Sequence, residues 1–199
     1  ATATGLSPGS YTVTITDDNG CQATAGPVTI TEPTLVVATM GSPSMVSCNG
    51  GSDGSVTVTG SGGTVAGDYT YLWSNGQTTA TATGLVAGSY TVTITDDNGC
   101  QATAGPVTIT EPTLVVATMG LPTMVTCNGD ADGSVTVIGS GGTVAGDYTY
   151  LWSNGQTTAT ATGLAAGSYT VTITDDNGCQ ASAGPVTITE PTAVSASMG

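Results

Sequence analysis

Residues 84–100 read GLVAGSYTVTITDDNGC, and the same phrase returns with one change at 163–179. Its second half, YTVTITDDNGC, also closes residues 11–21. Side chains of an extended chain alternate between two faces, which puts Tyr90, Val92 and Ile94 on one face and Thr91, Thr93 and Thr95 on the other. An apolar face opposite a threonine face is what a half-buried antiparallel strand requires. Asn98-Gly99 follows at once, and Asn75-Gly76 offers the same dipeptide earlier. Asn-Gly is favoured chemistry for a tight hairpin turn.

Working outward, Cys21, Cys100 and Cys179 stand 79 residues apart, and residues 32–110 match 111–189 at all but eight positions. A fixed long period marks tandem modules. The expected division is the C-terminal part of a repeat at 1–31, complete repeats at 32–110 and 111–189, and the start of another at 190–199. The chain then reads as a window on a longer array.

Within the first full block, strand signals fall at 35–40, 55–59, 69–73, 78–83, 89–95 and 106–110, separated by Gly, Asn, Asp and Pro, with no helical period. Val56 with Val58, and Val107 with Ile109, repeat the alternation. Such a block predicts an all-β fold: tandem Ig-like antiparallel β-sandwich modules in a linear array. Leu85-x-x-Gly88-x-Tyr90 has the form of the tyrosine corner of Ig-like domains, where the hydroxyl bonds to nearby backbone. With no Phe in the chain, Trp73 and Tyr90, and Trp152 and Tyr169 in the second block, are the expected structural aromatics.

The chain has no Lys, Arg or His, and its fourteen acidic residues give a net charge of −14. Affinity for phosphates comes from Lys and Arg, so nucleic acid is excluded as a partner, as is anchoring to anionic lipid through a basic patch. No run of 18 apolar residues occurs, so direct membrane insertion is not expected. Trypsin-type cleavage sites are also absent.

Each full block has one cysteine near its start and one near its end: Cys48 with Cys100, and Cys127 with Cys179. Regular pairs without zinc-type spacing suggest disulfides and an oxidising, extracellular compartment, with buried free thiols as the alternative. If strands A, B, C, E and F alternate in direction, the A–B and F–G turns share one end of the module. The expected bridges are then Cys48–Cys100 and Cys127–Cys179, with the partner of Cys21 outside the window. The competing connectivity is Cys21–Cys48. Closing a 52-residue loop stabilises by about 4 kcal/mol in the chain-entropy model, which suits a module with a thin core.

Three strings occur in order in each full block. They are Cys-Asn-Gly-x-x-Asp-Gly-Ser at 48–55 and 127–134, Tyr-x-Tyr-x-Trp-Ser-Asn-Gly at 69–76 and 148–155, and Gly-Leu-x-x-Gly-x-Tyr-Thr-Val-x-Ile-x-Asp-x-x-Gly-Cys at 84–100 and 163–179. Together they resemble the SprB repeat, over both full and both partial blocks. The resemblance implies a very large cell-surface protein of the kind found in Bacteroidota, some members being mobile adhesins of gliding motility exported by type IX secretion. It implies no catalytic residues. The near identity of the two blocks departs from what neighbouring repeats of the family often show, and suggests recent duplication or selection for uniformity.

An enzyme is not expected: no imidazole, amine or guanidinium is present to activate the Ser and Thr hydroxyls. Asp96 and Asp97 are adjacent and read as turn residues. Lys is missing for an isopeptide bond. No cofactor is expected beyond weak Ca²⁺, for which Asn128, Asp130 and Asp132 have the spacing of the start of a calcium loop. That loop lacks its closing acid, since Gly139 stands there, and the first block has Gly51 in place of Asp130. The Thr faces are read as solvent-facing strand residues before a hydroxyl lattice for ice or glycan.

The expected function is a non-catalytic structural or adhesive stalk, with modules joined by Glu-Pro-Thr links at Glu32, Glu111 and Glu190. The expected partners are neighbouring repeats of the same protein, with lateral self-association or surface polysaccharide in addition. The alternatives are a glycan- or protein-binding Ig-like module and an accessory region of a secreted enzyme.

Overall fold

The computed structural model describes residues 1–198. It contains fourteen strands and no helix among them: β1 (Gly9–Thr16), β2 (Gln22–Ile30), β3 (Val37–Met40), β4 (Gly54–Ser61), β5 (Thr70–Trp73), β6 (Thr81–Leu85), β7 (Gly88–Thr95), β8 (Gln101–Ile109), β9 (Val116–Met119), β10 (Gly133–Ser140), β11 (Thr149–Trp152), β12 (Thr160–Leu164), β13 (Gly167–Thr174) and β14 (Gln180–Ile188). They form two compact units. One comprises Ala1–Met40, Val58–Ala80 and Thr91–Gly105; the other comprises Gly41–Thr57, Thr81–Tyr90 and the chain from Pro106 on.

The second unit holds the second full block entire. Two three-stranded antiparallel sheets, ordered β12-β10-β9 and β11-β13-β14, face each other. In Ig nomenclature these are E-B-A and C-F-G, with strand D missing. Both sheets supply the core: Val135 and Val137 from β10, Ala161 and Leu164 from β12, Trp152 from β11, Val171 and Ile173 from β13, and Ile188 from β14. The alternation legible in the sequence is thus the inward face of each strand. Outward threonines pair across strands instead of standing alone. Thr136 and Thr160 hydroxyls meet at 2.8 Å, and Thr172 and Ser182 at 2.9 Å.

Strand direction in this block follows from its hydrogen bonds. Gly142 N–H bonds to Thr113 O, and Thr143 N–H to the Asp175 carboxylate, so the end of β10 and the end of β13 lie where the chain enters the block. β10 and β13 therefore run the same way. Their antiparallel neighbours β9, β12, β11 and β14 all run the opposite way. C and E are successive strands with one direction, because residues 153–159 cross between sheets without a D strand to reverse the chain. Strict alternation through B, C, E and F, expected from the sequence, does not hold.

β14 begins directly after Cys179, five residues earlier than the strand signal. A one-residue bulge between the Tyr169↔Val186 and Val171↔Ala183 pairs absorbs Gly184-Pro185, with Gly184 at φ +103°. A Gly-Pro that reads as a breaker is here the bulge in a continuous strand.

In the first unit, β1 and β2 form a two-stranded sheet with the sequence and bulge of the F–G hairpin. Val13, Ile15 and Val28, the equivalents of core positions, are 57%, 67% and 58% exposed. Also in this unit, Trp73 on β5 is buried, and its indole N–H bonds to Thr79 O at 2.8 Å. The first full block has the same strand orders as the second, β3-β4-β6 and β5-β7-β8.

Candidate functional site: the junction at Cys48 and Cys179

The tyrosine corner forms three times: Tyr11, Tyr90 and Tyr169 hydroxyls donate to Ser7 O, Val86 O and Ala165 O at 2.8, 3.0 and 3.1 Å. Trp152 donates to Thr158 O at 2.8 Å. Each of these bonds ties the aromatic to backbone a few residues away in the chain.

The Asp-Asp-Asn-Gly-Cys turn is built around its first carboxylate. Asp175 accepts from Asn177 N–H at 3.0 Å and Cys179 N–H at 2.8 Å through one oxygen, and from Thr143 N–H at 2.8 Å through the other. The Thr143 bond, followed by the turn amides, outweighs burial and holds the Asp175 carboxyl below the usual range. Asp96 is held the same way by Thr64 N–H. The turn closes with Gly178 N–H on Asp175 O and Asp175 N–H on Cys179 O. No residue other than glycine has positive φ among those described, so Asn-Gly here belongs to a three-residue loop with Gly178 at +85°, not to a type I′ turn.

The loop before Cys48 is folded by the other motif. Asp53 accepts from Ser47 N–H at 3.0 Å and from the Ser47 hydroxyl, and that hydroxyl is the main cause of its lowered pKa. In the second block, Thr126 and Asp132 repeat the arrangement. Asn49 donates to Pro112 O at 3.1 Å, and Gly50 N–H donates to the Glu111 carboxylate at 2.7 Å. Asn128 and Gly129 do the same to Pro191 O at 3.1 Å and Glu190 at 2.7 Å. Of the three residues singled out for calcium, Asn128 thus serves Pro191 and Asp132 serves Thr126, while Asp130 donates its backbone N–H to Cys127 O. Among the described residues no cluster of three His, Cys, Asp or Glu side chains has metal-binding geometry.

The cysteines pair differently from the sequence expectation. Cys48 is bonded to Cys179, with Cα atoms 5.6 Å apart and a sequence separation of 131. Cys48–Cys100 and Cys127–Cys179 do not form; Cys21, Cys100 and Cys127 are free and exposed. The reason is the direction of C and E. In the second block, Asn128 and Gly129 lie where the chain leaves, against Glu190 and Pro191, while the Asp175–Cys179 turn lies where it enters. β14 runs between them, so Cys127 and Cys179 sit at opposite ends of one block. What Cys179 does meet is the exit loop of the preceding block: besides the disulfide, Asn177 Nδ2 donates to Ser47 O at 3.0 Å.

These features define a class: a tandem β-sandwich repeat protein whose successive blocks are covalently joined by a disulfide. The SprB repeat model matches residues 42–78 and 122–157, one segment in each full block, as the sequence resemblance implies. The matched segments contain Cys48, Cys127, Trp73 and Trp152 but not the tyrosine corner or the second-cysteine turn. Among solved structures, the chain is similar to "Three N-terminal domains of the bacteriophage RB49 Highly Immunogenic Outer Capsid protein (Hoc)", at 22% identity and a TM-score of 0.43, covering 75% of this chain. It spans 57% of the length of that structure. No curated protein matches the chain.

Proposed function

We propose that this chain is a load-bearing spacer in a non-catalytic, extracellular tandem-repeat protein of a cell surface. The observation that carries the reading is the Cys48–Cys179 bridge, which spans a sequence separation of 131 and would, under tension, bypass that stretch of backbone. A disulfide suits an oxidising compartment, and a covalent bridge from one block to the next suits a mechanical role more than a single binding site. The finer reading, from the family resemblance, is that such a spacer carries an adhesive or motility-coupled region outside this sequence.

Extension of the chain under force tests the proposal. Reducing the bridge should release about 450 Å of hidden length, at roughly 3.5 Å per residue over 131 residues. Equal extension of the oxidised and reduced chains would show that the bridge carries no load.

A further inference from the structure

We infer that Cys127 and Cys100 each supply one half of a further inter-block bridge of the Cys48–Cys179 kind, Cys127 with the following repeat and Cys100 with the preceding one. By this rule the first cysteine of every block bonds to the last cysteine of the next. The proposal rests on the tandem-repeat reading, and not on any adhesive or load-bearing role.

Both halves of the junction are already built. On the receiving side, Asn128 and Gly129 hold Pro191 and Glu190 at 3.1 and 2.7 Å, the same distances as Asn49 to Pro112 and Gly50 to Glu111. On the entering side, Asp96 receives Asn98 N–H at 3.0 Å and Cys100 N–H at 2.7 Å, matching the Asp175 turn to within 0.1 Å. Burial separates the occupied from the open junction. Ser47, Cys48 and Cys179 are half-buried, whereas Thr126, Cys127 and Cys100 are exposed.

A groove of about 500 Å³ lies beside Cys127, lined also by Thr126, Asn128 and Pro191–Val194. At the first junction the neighbouring block's Cys179 turn meets the equivalent loop. The occupant the groove fits is therefore the Asp-Asp-Asn-Gly-Cys turn of a following repeat of this sequence. Its cysteine would reach Cys127 as Cys179 reaches Cys48. Bond formation removes two electrons and two protons from the two thiols; a disulfide oxidant such as oxidised glutathione accepts them and leaves as two thiols.

The rule interlocks the array. Each loop spans 131 residues but the period is 79, so successive loops share the 52-residue span from Cys127 to Cys179. Reducing one bridge would leave its residues, other than 101–126, enclosed by the loops on either side.

The test adds one copy of block 32–110 after Thr189 of the full chain, with Cys21→Ser and Cys100→Ser and with the first cysteine of the added copy also replaced by Ser. The added turn peptide then carries Thr where the Cys179 peptide has Ser182, so the two differ in mass. After oxidation with oxidised glutathione, a non-reducing chymotryptic map should link the Cys127 peptide to the Thr-marked turn, with Cys48 still linked to Cys179. Alkylation gives a second reading: Cys127 should label in the 199-residue chain and be protected in the extended one. Linkage of Cys127 to Cys179, or full labelling of Cys127 in the extended chain, would overturn the rule. Either result leaves the extension experiment on the 199-residue chain free to succeed or fail by itself.

Discussion

Glu111, the first residue of the second block, accepts a hydrogen bond from the backbone N–H of Gly50 at 2.7 Å and another from Asn49 at 3.2 Å. The link between blocks is therefore also a clamp on the loop that presents Cys48. Replacing Glu111 with Ala leaves Cys48 covalently bound but frees its loop. Reduction of Cys48–Cys179 by dithiothreitol should then be roughly two- to five-fold faster, the scale of an exposed charged contact. An unchanged rate would show that the clamp does not restrain the bridge.

Trp152 and Leu151 are neighbours on β11 with opposite fates: Trp152 is 2% exposed and Leu151 60%. Trp152→Ala should cost about 3–5 kcal/mol in urea unfolding, from lost burial and the cavity left behind. Leu151→Ala should change stability by less than about 0.5 kcal/mol. A similar cost for both would contradict the assignment of faces.

Gly142 and Gly146 make a second pair. Gly142 sits at φ +68°, and a Cβ there would collide with the Asp175 carboxylate and with Val115. Gly146 has open space around its Cβ position and no positive φ. Gly142→Ala should lower the melting temperature sharply and loosen the Asp175 turn. Gly146→Ala should be neutral or stabilising by about 0.4–1 kcal/mol through the unfolded chain.

The residues that decide the fold were readable because their signals are local. Tyr-x-Val-x-Ile alternation, the tyrosine four residues beyond its carbonyl partner, and a lone Trp on a short strand each need only a few neighbours to interpret. The eight differences between blocks fit that picture; Thr59→Ile, for one, falls where Ile138 is 64% exposed. The disulfide was not readable in the same way. Its position depends on whether residues 153–159 reverse the chain, and a run of Ser, Asn, Gly, Gln, Thr and Ala is equally compatible with a D strand or a crossover. One missing strand inverts the parity of the F–G turn and moves Cys179 to the opposite end of its block. The roles of Asn128 and Asp132 were hidden for a related reason: their partners, Pro191 and Thr126, are set by loop folding and not by carboxylate spacing.

Asp175 gives the junction a pH dependence. Its folded-state pKa lies below the unfolded value, so the stability it contributes is present above the usual carboxylate value of about 3.9. That contribution is lost as pH falls through the lowered folded value. The difference in stability between the native chain and Asp175→Asn should shrink on acidification below about pH 4, in parallel urea titrations. A difference that stays constant from neutral pH to pH 2 would show that the charge of Asp175 is not what holds the turn.

The central claim is that covalent closure runs between blocks and not within them. A 131-residue loop corresponds to about 5 kcal/mol of chain entropy shared by two blocks. A non-reducing chymotryptic map of the oxidised 199-residue chain tests it directly, since Ser182 and Thr103 give the Cys179 and Cys100 peptides different masses. The account predicts the Cys48 peptide linked to the Ser182-bearing turn, with Cys100 and Cys127 alkylated. Recovery of Cys48 linked to the Thr-bearing turn that Cys100 and Cys21 share, or of Cys127 linked to Cys179, would contradict it.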